Sequence, residues 1–361
     1  MSIYLSLYLW SVFLQIFDFV DGKNKKLFYL FLITMPMIFI SGLRDISVGI
    51  DTGTVYTYIF YSMDQDFVDI FDMMSVEPAY LIINWLVFQI SESYPMLLML
   101  ISLITNILVI YSLYKVSDNV YLSVTIYLGI FCYFGSLCHM RQYLAVSFVM
   151  LAYVYLYENK LKKAIVILFV SLMFHTSSLL MVPFFLLFNY INTYKKYIFF
   201  MLSIVIGYLV GVFYFDVIVS FFPKYSAIYV NSFYGESRGI TASIILPIVA
   251  LLYLVCISIY DFVKKVPFSK VNSFYNMILL LYSLSWLASF KIFILNRLVL
   301  EYQVFLCLAL PYIIKRYFVN KCCFNILINI FMFMHLFLHL QKNTAEIVPY
   351  TSIISNFLIF Y

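Results

Sequence analysis

The sequence predicts an all-α, polytopic integral membrane protein with about 11–12 transmembrane helices, one or two re-entrant or short helical segments, and external loops. Of its 361 residues, 65% are apolar and only 11% are charged, and the mean hydropathy is +1.00. A soluble domain carries about 25% charged residues, so a cytosolic enzyme, a secreted domain and a nucleic-acid-binding protein are excluded. The apolar runs are long and do not alternate with period two, which excludes an outer-membrane barrel.

Apolar segments follow one another along the chain and are separated by short polar stretches. A membrane-spanning backbone must satisfy its own hydrogen bonds, so each segment that crosses lipid is predicted to be helical. The segments lie near residues 2–20, 27–43, 78–90, 94–114, 120–138, 142–157, 164–190, 197–217, 240–260, 274–292, 298–314, 324–340 and 351–361. The first 20 residues have no basic start or cleavage site and are expected to form an uncleaved helix. Without linkers or repeats, we expect a single polytopic domain, 1–361, with external loops near 43–77 and 218–239.

The basic residues predict the orientation of the chain. Lysine and arginine concentrate on the cytoplasmic side, and placing Lys23, Lys25 and Lys26 there makes the acidic stretch 43–77 external. On this layout the cytoplasmic clusters are almost entirely lysine. Arginine binds phosphate and carboxylate in a bidentate manner that lysine lacks, so we expect an anionic ligand at the external face. Four of the five arginines lie there: Arg44, Arg141, Arg238 and Arg297.

Two apolar segments are too short for the crossings that this orientation requires. Segment 78–90 would form about 20 Å of helix, whereas the hydrocarbon core is about 30 Å thick, so we predict that it is interfacial or re-entrant. On this orientation, segment 164–190 must enter the membrane and return to the same side. It is too short for two full crossings. We therefore predict a pair of short or broken helices that turns near residues 175–178.

The stretch that follows the second predicted helix carries the first candidates for chemistry. Arg44 and Asp51 flank a Gly49 turn. Arg44 either binds an anionic substrate or anchors the helix end at lipid phosphates. Glu77 stands before the Pro78 segment, where its carboxylate either contacts substrate or caps the helix.

A second group lies in the middle of the chain. Arg141 and Gln142 open a predicted helix, where backbone N–H groups favour anions; the alternative is that Arg141 extends to the lipid headgroups. His175 lies at the predicted turn of the broken pair. A backbone segment that lies at membrane depth without spanning is tolerated where it is buried or lines a water-filled cavity. If it lines a cavity, His175 is a general base or a ligand contact; the alternative is a buried structural histidine.

The second half of the chain offers two arginines. Arg297 stands one helical turn before Glu301, and the two form either part of an anion site or an ordinary intrahelical ion pair. Arg238 lies in the predicted external loop among aromatic residues, whose faces suit a sugar; they are Tyr225, Tyr229, Phe233 and Tyr234.

The sequence predicts neither a cofactor nor a bound metal ion. The sequence has no H-E-x-x-H, G-x-S-x-G or Walker pattern, which argues against zinc peptidase, hydrolase and nucleotidase functions. The pattern Asp64-Gln65-Asp66 is the one D-x-D near the first loop, and it lies in an acidic run that is typical of a solvated face. The six cysteines contain no C-x-x-C pair, so we expect small core residues rather than zinc ligands or disulfides; they are Cys132, Cys138, Cys256, Cys307, Cys322 and Cys323.

The order of these motifs resembles the EpsG/Wzy-like polysaccharide (O-antigen) polymerases of bacteria. The resemblance covers most of the chain. It indicates the family more specifically than it indicates the substrate. The matching pieces are Arg44 with Val48-Gly49-Ile50-Asp51-Thr52 and Tyr56, Glu77-Pro78-Ala79-Tyr80 with Asn84, Met140-Arg141-Gln142 with Ala145, Lys160 to Lys163, Phe174-His175-Thr176-Ser177, Arg297, and Val348-Pro349-Tyr350. The family's Gly-Thr-Asp-type turn is Gly49-Ile50-Asp51 here, which keeps the acid and changes the residue before it.

The resemblance implies polymerisation of undecaprenyl-diphosphate-linked repeat units of O antigen or capsule, at the periplasmic face of the bacterial inner membrane. Arg44, Arg141 and Arg297 would hold the diphosphate, an electrostatic role that needs no metal. His175, or else Asp51 or Glu77, would deprotonate the acceptor hydroxyl. The substrate contacts would include Asp51, Glu77, Gln142, Arg238 and Tyr350. Expected partners are the lipid-linked glycan, membrane lipids, a chain-length regulator and a flippase, with no nucleic acid.

Two alternative functions are compatible with the same sequence features. An O-antigen ligase or a lipid-phosphosugar glycosyltransferase would act on the same donor. A glycolipid flippase or transporter would do no chemistry, but such proteins often show two related halves. The second half of this sequence has no counterpart of the Arg44 or Met140-Arg141-Gln142 stretches, which argues against a transporter.

Overall fold

The computed structural model describes residues 1–19, 23–64, 76–221, 244–292 and 295–354, and within these ranges the regular structure is helical. The helices are α1 (Ser2–Phe13), α2 (Lys23–Gly42), α3 (Thr57–Tyr61), α4 (Pro78–Ile90), α5 (Tyr94–Val116), α6 (Val120–Gly129), α7 (Cys132–Gly135), α8 (Met140–Tyr157), α9 (Leu161–Leu172), α10 (Val182–Leu187), α11 (Tyr194–Phe213), α12 (Phe215–Ser220), α13 (Ile245–Val263), α14 (Lys270–Ser289), α15 (Asn296–Gln303), α16 (Leu306–Tyr317) and α17 (Lys321–Gln341).

The all-α polytopic membrane class is confirmed. In the part of the chain that the structure describes, five helices are long and apolar enough to span a membrane: Asn24–Gly42, Tyr94–Val116, Tyr194–Phe213, Ile245–Val263 and Lys321–Gln341. The bent pair α15 and α16, with 49° between its halves, makes six if it is one span. This number is below the 11–12 expected from the apolar segments, because several of those segments form helices of 10–17 residues.

Two further helices are long enough to span but contain more polar residues. α8 has 18 residues and α14 has 20. Most side chains of both helices are buried against protein, including Gln142 in α8 and Asn272 and Asn276 in α14. A helix enclosed by other helices needs no apolar exterior, since its polar side chains do not meet lipid. A search by hydropathy therefore fails to detect such enclosed helices.

The described helices group into two compact units. The first comprises Met1–Leu179 and Cys307–Tyr361, and the second Leu180–Leu306. In the first unit, α5 packs against both α2 and α8, α9 packs against α8, and α6 packs against α1 and α17. Side chains bond across these helices: the Ser102 hydroxyl donates to the Ile38 carbonyl at 2.9 Å, and the Tyr133 hydroxyl donates to the Met37 carbonyl at 2.7 Å. Bonds of this kind hold helices together where burial from water contributes little.

In the second unit, α14 packs against α11, α13 and α15. The Ser283 hydroxyl of α14 donates to the Pro247 carbonyl of α13 at 3.1 Å. The outer side of α11 is apolar and exposed, as at Phe199, Leu202 and Ile206, which is the surface that a lipid-facing helix presents. The single domain 1–361 and the membrane orientation stay predictions.

The predicted break in segment 164–190 is confirmed. α9 ends at Leu172, a 3₁₀ turn follows over Thr176–Met181, and α10 is only six residues long. The Ser171 hydroxyl donates to the Ala145 carbonyl of α8 at 2.8 Å, so the last turn of α9 is fixed against α8. α4 has 13 residues, which agrees with the prediction that this segment is too short to span.

The cysteines divide into two sets. Cys132, Cys138 and Cys307 are buried, as expected of core residues, whereas the expectation is wrong for Cys256, Cys322 and Cys323, which are exposed. The exposed three lie on α13 and α17, both of which leave a large share of their surface outside the protein core. An apolar run alone does not tell which side of a helix is covered.

Candidate functional site

The start of α8 collects four of the sequence motifs at one place in the first unit. Four consecutive residues, 139 to 142, contact three other segments of the chain. The contacts are His139 with Asp51, Met140 with Arg44, Arg141 with Glu77, and Gln142 with Ser177. Successive residues of a helix point in directions about 100° apart, so this helix start faces several segments at once. We call residues 139–142 the α8 hub.

His139 forms the first contact of the hub. Its Nδ1 lies 3.1 Å from the Asp51 carboxylate, and the two side chains are 35% and 26% exposed. Burial acts to lower the pKa of His139, but its hydrogen bonds to Asp51 and Cys138, together with the charges of these groups, raise the pKa to about 9. The pair is therefore an imidazolium and a carboxylate at neutral pH.

The turn that carries Asp51 is docked on the backbone just before the hub. Gly49 has φ +89, and a Cβ there would lie 2.7 Å from the Leu137 carbonyl oxygen. The Thr52 hydroxyl donates to the same carbonyl at 2.8 Å, and the Tyr94 hydroxyl donates to the Thr52 carbonyl at 3.1 Å. Only glycine allows this backbone conformation and this approach without strain. The close approach is what places Asp51 beside His139.

Replacement of Gly49 by alanine is expected to destabilise the protein by about 1–3 kcal/mol, because a left-handed non-glycine residue is strained and its Cβ would also lie 3.0 Å from the Cys138 Cα. The matched control is Gly207→Ala in α11, where nothing lies within 4 Å of the new Cβ and the helix should gain about 0.5–1 kcal/mol. Thermal unfolding of the detergent-solubilised variants measures both. Equal shifts for the two variants would contradict the docking of this turn.

Arg44 is buried, with 2% of its surface exposed. Its guanidinium donates to the Ser41 carbonyl and lies 3.6 Å from the Met140 sulfur. Among the described residues, Arg44 forms no ion pair with a carboxylate, and its Nε has no hydrogen-bond partner. It lines a small cavity with Ser41, Ile101, Ser102, Thr105, Ser136 and Met140. A lipid-phosphate anchor would be exposed, so this alternative does not fit Arg44.

Arg141 and Glu77 form the central ion pair of the site, at 2.9 Å and with side chains 20% and 13% exposed. Glu77 also accepts from the Thr176 backbone N–H at 3.0 Å, and the Arg141 guanidinium lies over the Tyr80 ring at 5.9 Å. Glu77 occupies the N-cap position of α4 but makes no side-chain cap bond. Its carboxylate is used for tertiary contacts, and Arg141 is turned towards protein rather than towards headgroups.

His175 lies beside the hub through Ser177. The Ser177 backbone N–H donates to His175 Nδ1 at 3.2 Å, and the Ser177 hydroxyl lies 2.7 Å from the same nitrogen. The Gln142 amide in turn donates to this hydroxyl at 3.4 Å. A neutral imidazole has one donor and one acceptor nitrogen, so Nδ1 is the acceptor here and Nε2 carries the proton.

The segment after α17 packs against the Arg44 stretch. The backbone of Arg44 pairs with that of Ser352 in a single bridge, and the Asp45 N–H donates to the Thr351 carbonyl at 2.9 Å. The Tyr350 hydroxyl donates to the Ile40 carbonyl at 3.1 Å. Tyr350 therefore supports the end of α2, a structural contact that sequence reasoning did not predict.

Two predicted residues do not belong to the described part of the first unit. Arg297 is exposed in the first turn of α15, in the second unit. Arg238 lies outside the described residues, as do most of the predicted loop 218–239 and two residues of the Asp64-Gln65-Asp66 pattern. Their part in a substrate site stays a prediction.

Sequence reasoning assigned no contact role to His139, Thr176 and Ser177. His139 directly precedes the Met140-Arg141-Gln142 stretch, and Thr176 and Ser177 follow His175, so neighbouring polar residues were the available signal. It also missed that Asp51, Cys138 and His139 place three potential ligand atoms within 4.8 Å of one another. Among the described residues, this is the group that could hold a metal ion.

Comparison with known proteins identifies one matching family. No curated protein and no solved structure matches the chain significantly. The model of the EpsG family matches residues 26–352, a range that includes the α8 hub and each segment that it contacts. The match extends over most of the chain, and this multi-pass membrane protein belongs to the EpsG family.

Proposed function

We propose that the protein polymerises lipid-linked oligosaccharide repeat units, as in O antigen or capsule, at the periplasmic face of the bacterial inner membrane. The observation that supports this most is membership of the EpsG family over residues 26–352. The donor is a glycan on undecaprenyl diphosphate, and the acceptor is the sugar hydroxyl of a second lipid-linked unit. The expected partners are membrane lipids, a flippase and a chain-length regulator.

The reaction is a glycosyl transfer. The acceptor hydroxyl oxygen forms a bond with the anomeric carbon of the donor, the bond from that carbon to the phosphate oxygen breaks, and the lipid diphosphate leaves with the electron pair. Negative charge develops on the leaving oxygen, and fixed cations stabilise it. Arg141 is suited to this role because it is partly exposed and is held by Glu77 at 2.9 Å.

Arg44 has a different position in this proposal. Since it is 2% exposed, it acts as a positioning residue behind Met140 rather than as a direct ligand. A buried guanidinium without a carboxylate partner exerts a strong field, because the surroundings screen it little. Arg297 and Arg238 are proposed as further diphosphate or sugar contacts.

The acceptor proton needs a base, for which His175 remains our proposal. In the resting arrangement Nδ1 accepts from the Ser177 N–H and lies beside the Ser177 hydroxyl. His175 would therefore take the proton through Ser177, whose hydroxyl is also oriented by Gln142. Asp51 and Glu77 are weaker bases for this purpose, since each already pairs with a cation.

The glycan ladder of a deletion strain tests the function. Loss of a polymerase should leave single repeat units attached to the lipid core, whereas loss of a ligase should leave none. Complementation with the wild-type gene should restore the ladder. A deletion strain with normal chain lengths would contradict the proposal, and the complete loss of attached units would favour the ligase.

Glu77→Gln is expected to weaken polymerisation about 10–100-fold, because Arg141 loses the charge that orients it and a small misplacement of a positioned group is costly. The control is Glu158→Gln, which removes a carboxylate whose pair with Lys160 is exposed and which should leave the ladder unchanged. Chain-length distributions of complemented strains at equal expression measure the difference. Equal ladders for the two variants would contradict the orienting role.

A further inference from the structure

We infer that Asp51, Cys138 and His139 form a binding site for one zinc-type divalent cation. This site joins the docked turn to the start of α8. It does not depend on the proposed polymerase activity, and it departs from the sequence-based expectation that the cysteines bind no metal.

The donor set fits such an ion. The three side chains supply a carboxylate oxygen and, once Cys138 and His139 release a proton each to solvent as the ion binds, a thiolate sulfur and an imidazole nitrogen. These ligand atoms all lie within 4.8 Å of one another. Thiolate and imidazole ligands select zinc and similar transition metals over magnesium and calcium, which prefer oxygen. Zinc sites of this composition are tetrahedral, and three protein ligands leave the fourth position for water.

The geometry is close to what a tetrahedral site requires. Bonds of 2.0–2.3 Å place ligand atoms roughly 3.3–3.8 Å apart. His139 Nδ1 and the Asp51 carboxylate oxygen are 3.1 Å apart, and no two of the three ligand atoms are more than 4.8 Å apart, so the separations must change by about 1 Å at most. A rotation of one side chain supplies a movement of this size, and the backbone can stay in place.

The backbone around the ligands is held in position before any ion binds. Cys138 and His139 are consecutive, and Thr52, next to Asp51, donates to the carbonyl of Leu137 at 2.8 Å. The close contact of Gly49 with Leu137 and Cys138 holds the other side of the turn. Preorganised ligands of this kind bind a metal with little reorganisation.

The ion also has a way in. Cys138 is fully buried, whereas the side chains of His139 and Asp51 are 35% and 26% exposed. An ion can therefore reach the site along these two side chains. A bound ion would fix the position of Asp51 against the hub and, with it, the position of the whole turn.

Cobalt(II) titration of the full-length protein in detergent tests this site. The starting variant carries serine at the exposed Cys256, Cys322 and Cys323, which removes adventitious thiol ligands, and it is first treated with a chelator. We expect one cobalt per chain, with the visible bands of a tetrahedral ion and a near-ultraviolet thiolate-to-cobalt band, and displacement of both by zinc.

Substitutions assign the ligands. Cys138→Ser should abolish the thiolate band, whereas the matched Cys132→Ser, at an equally buried cysteine, should leave it unchanged. His139→Asn and Asp51→Asn should each weaken cobalt binding at least about 10-fold, which keeps the test valid if Cys138→Ser fails to fold. The absence of a thiolate band in the starting protein, or a band that survives Cys138→Ser, would overturn the proposal.

Discussion

Arg141→Ala is expected to reduce polymerisation by about 10²–10³-fold, the range found when one group that stabilises developing negative charge is removed. The structure gives the reason: Arg141 is the arginine of the α8 hub, it is partly exposed, and Glu77 and Tyr80 fix its orientation. Arg141→Lys keeps the charge but lacks the planar fork, so its activity should fall between alanine and wild type. The glycan ladders of complemented deletion strains measure all three.

The control for Arg141 is Arg316→Ala. Arg316 donates to the hydroxyls of Tyr317 and Tyr312 near the end of α16, on the predicted cytoplasmic side. Its removal takes away an arginine of the same unit without touching the hub, so a wild-type ladder is expected. A full ladder from Arg141→Ala at normal expression would show that this guanidinium does not contact the leaving group.

Arg44→Met is expected to leave the protein folded and at least as stable as wild type, but to abolish polymerisation. Replacing a buried charged side chain by an apolar one of similar volume is often neutral or stabilising, and Arg44 has no carboxylate partner among the described residues. Arg44→Ala would instead leave a cavity and should lose about 2–5 kcal/mol. The two variants thus separate the charge of Arg44 from its packing.

Thermal unfolding and the glycan ladder together decide the role of Arg44. A wild-type ladder from Arg44→Met would show that the buried charge is not needed for the reaction. An Arg44→Met variant as unstable as Arg44→Ala would show that the guanidinium is retained for its bonds to Ser41 and Met140.

The helices were largely predictable because each depends on a local run of apolar residues. The break after α9 and the short α4 also followed from the sequence, since length alone decides whether a helix can span. The number of spans did not follow. A buried helix such as α14 tolerates Asn272 and Asn276, and hydropathy cannot distinguish lipid-facing from protein-facing surfaces.

The candidate site was predictable only as separate motifs. The sequence singled out Arg141, Glu77 and Asp51, but their pairing joins residues far apart in the chain: 88 residues separate Asp51 from His139. Such contacts are set by helix packing and by the docked Gly49 turn, which leave little trace in local composition. The burial of Arg44 is likewise a tertiary property, so a surface role was the natural expectation.

The most direct test of the central claim uses the purified protein in lipid nanodiscs with undecaprenyl-diphosphate-linked repeat units as its only substrate. We expect oligomers of increasing length and release of the lipid diphosphate, with both lost in Arg141→Ala and retained in Arg316→Ala. Wild-type protein that moves the lipid-linked unit across a bilayer without joining units would contradict the proposed function and identify a transporter.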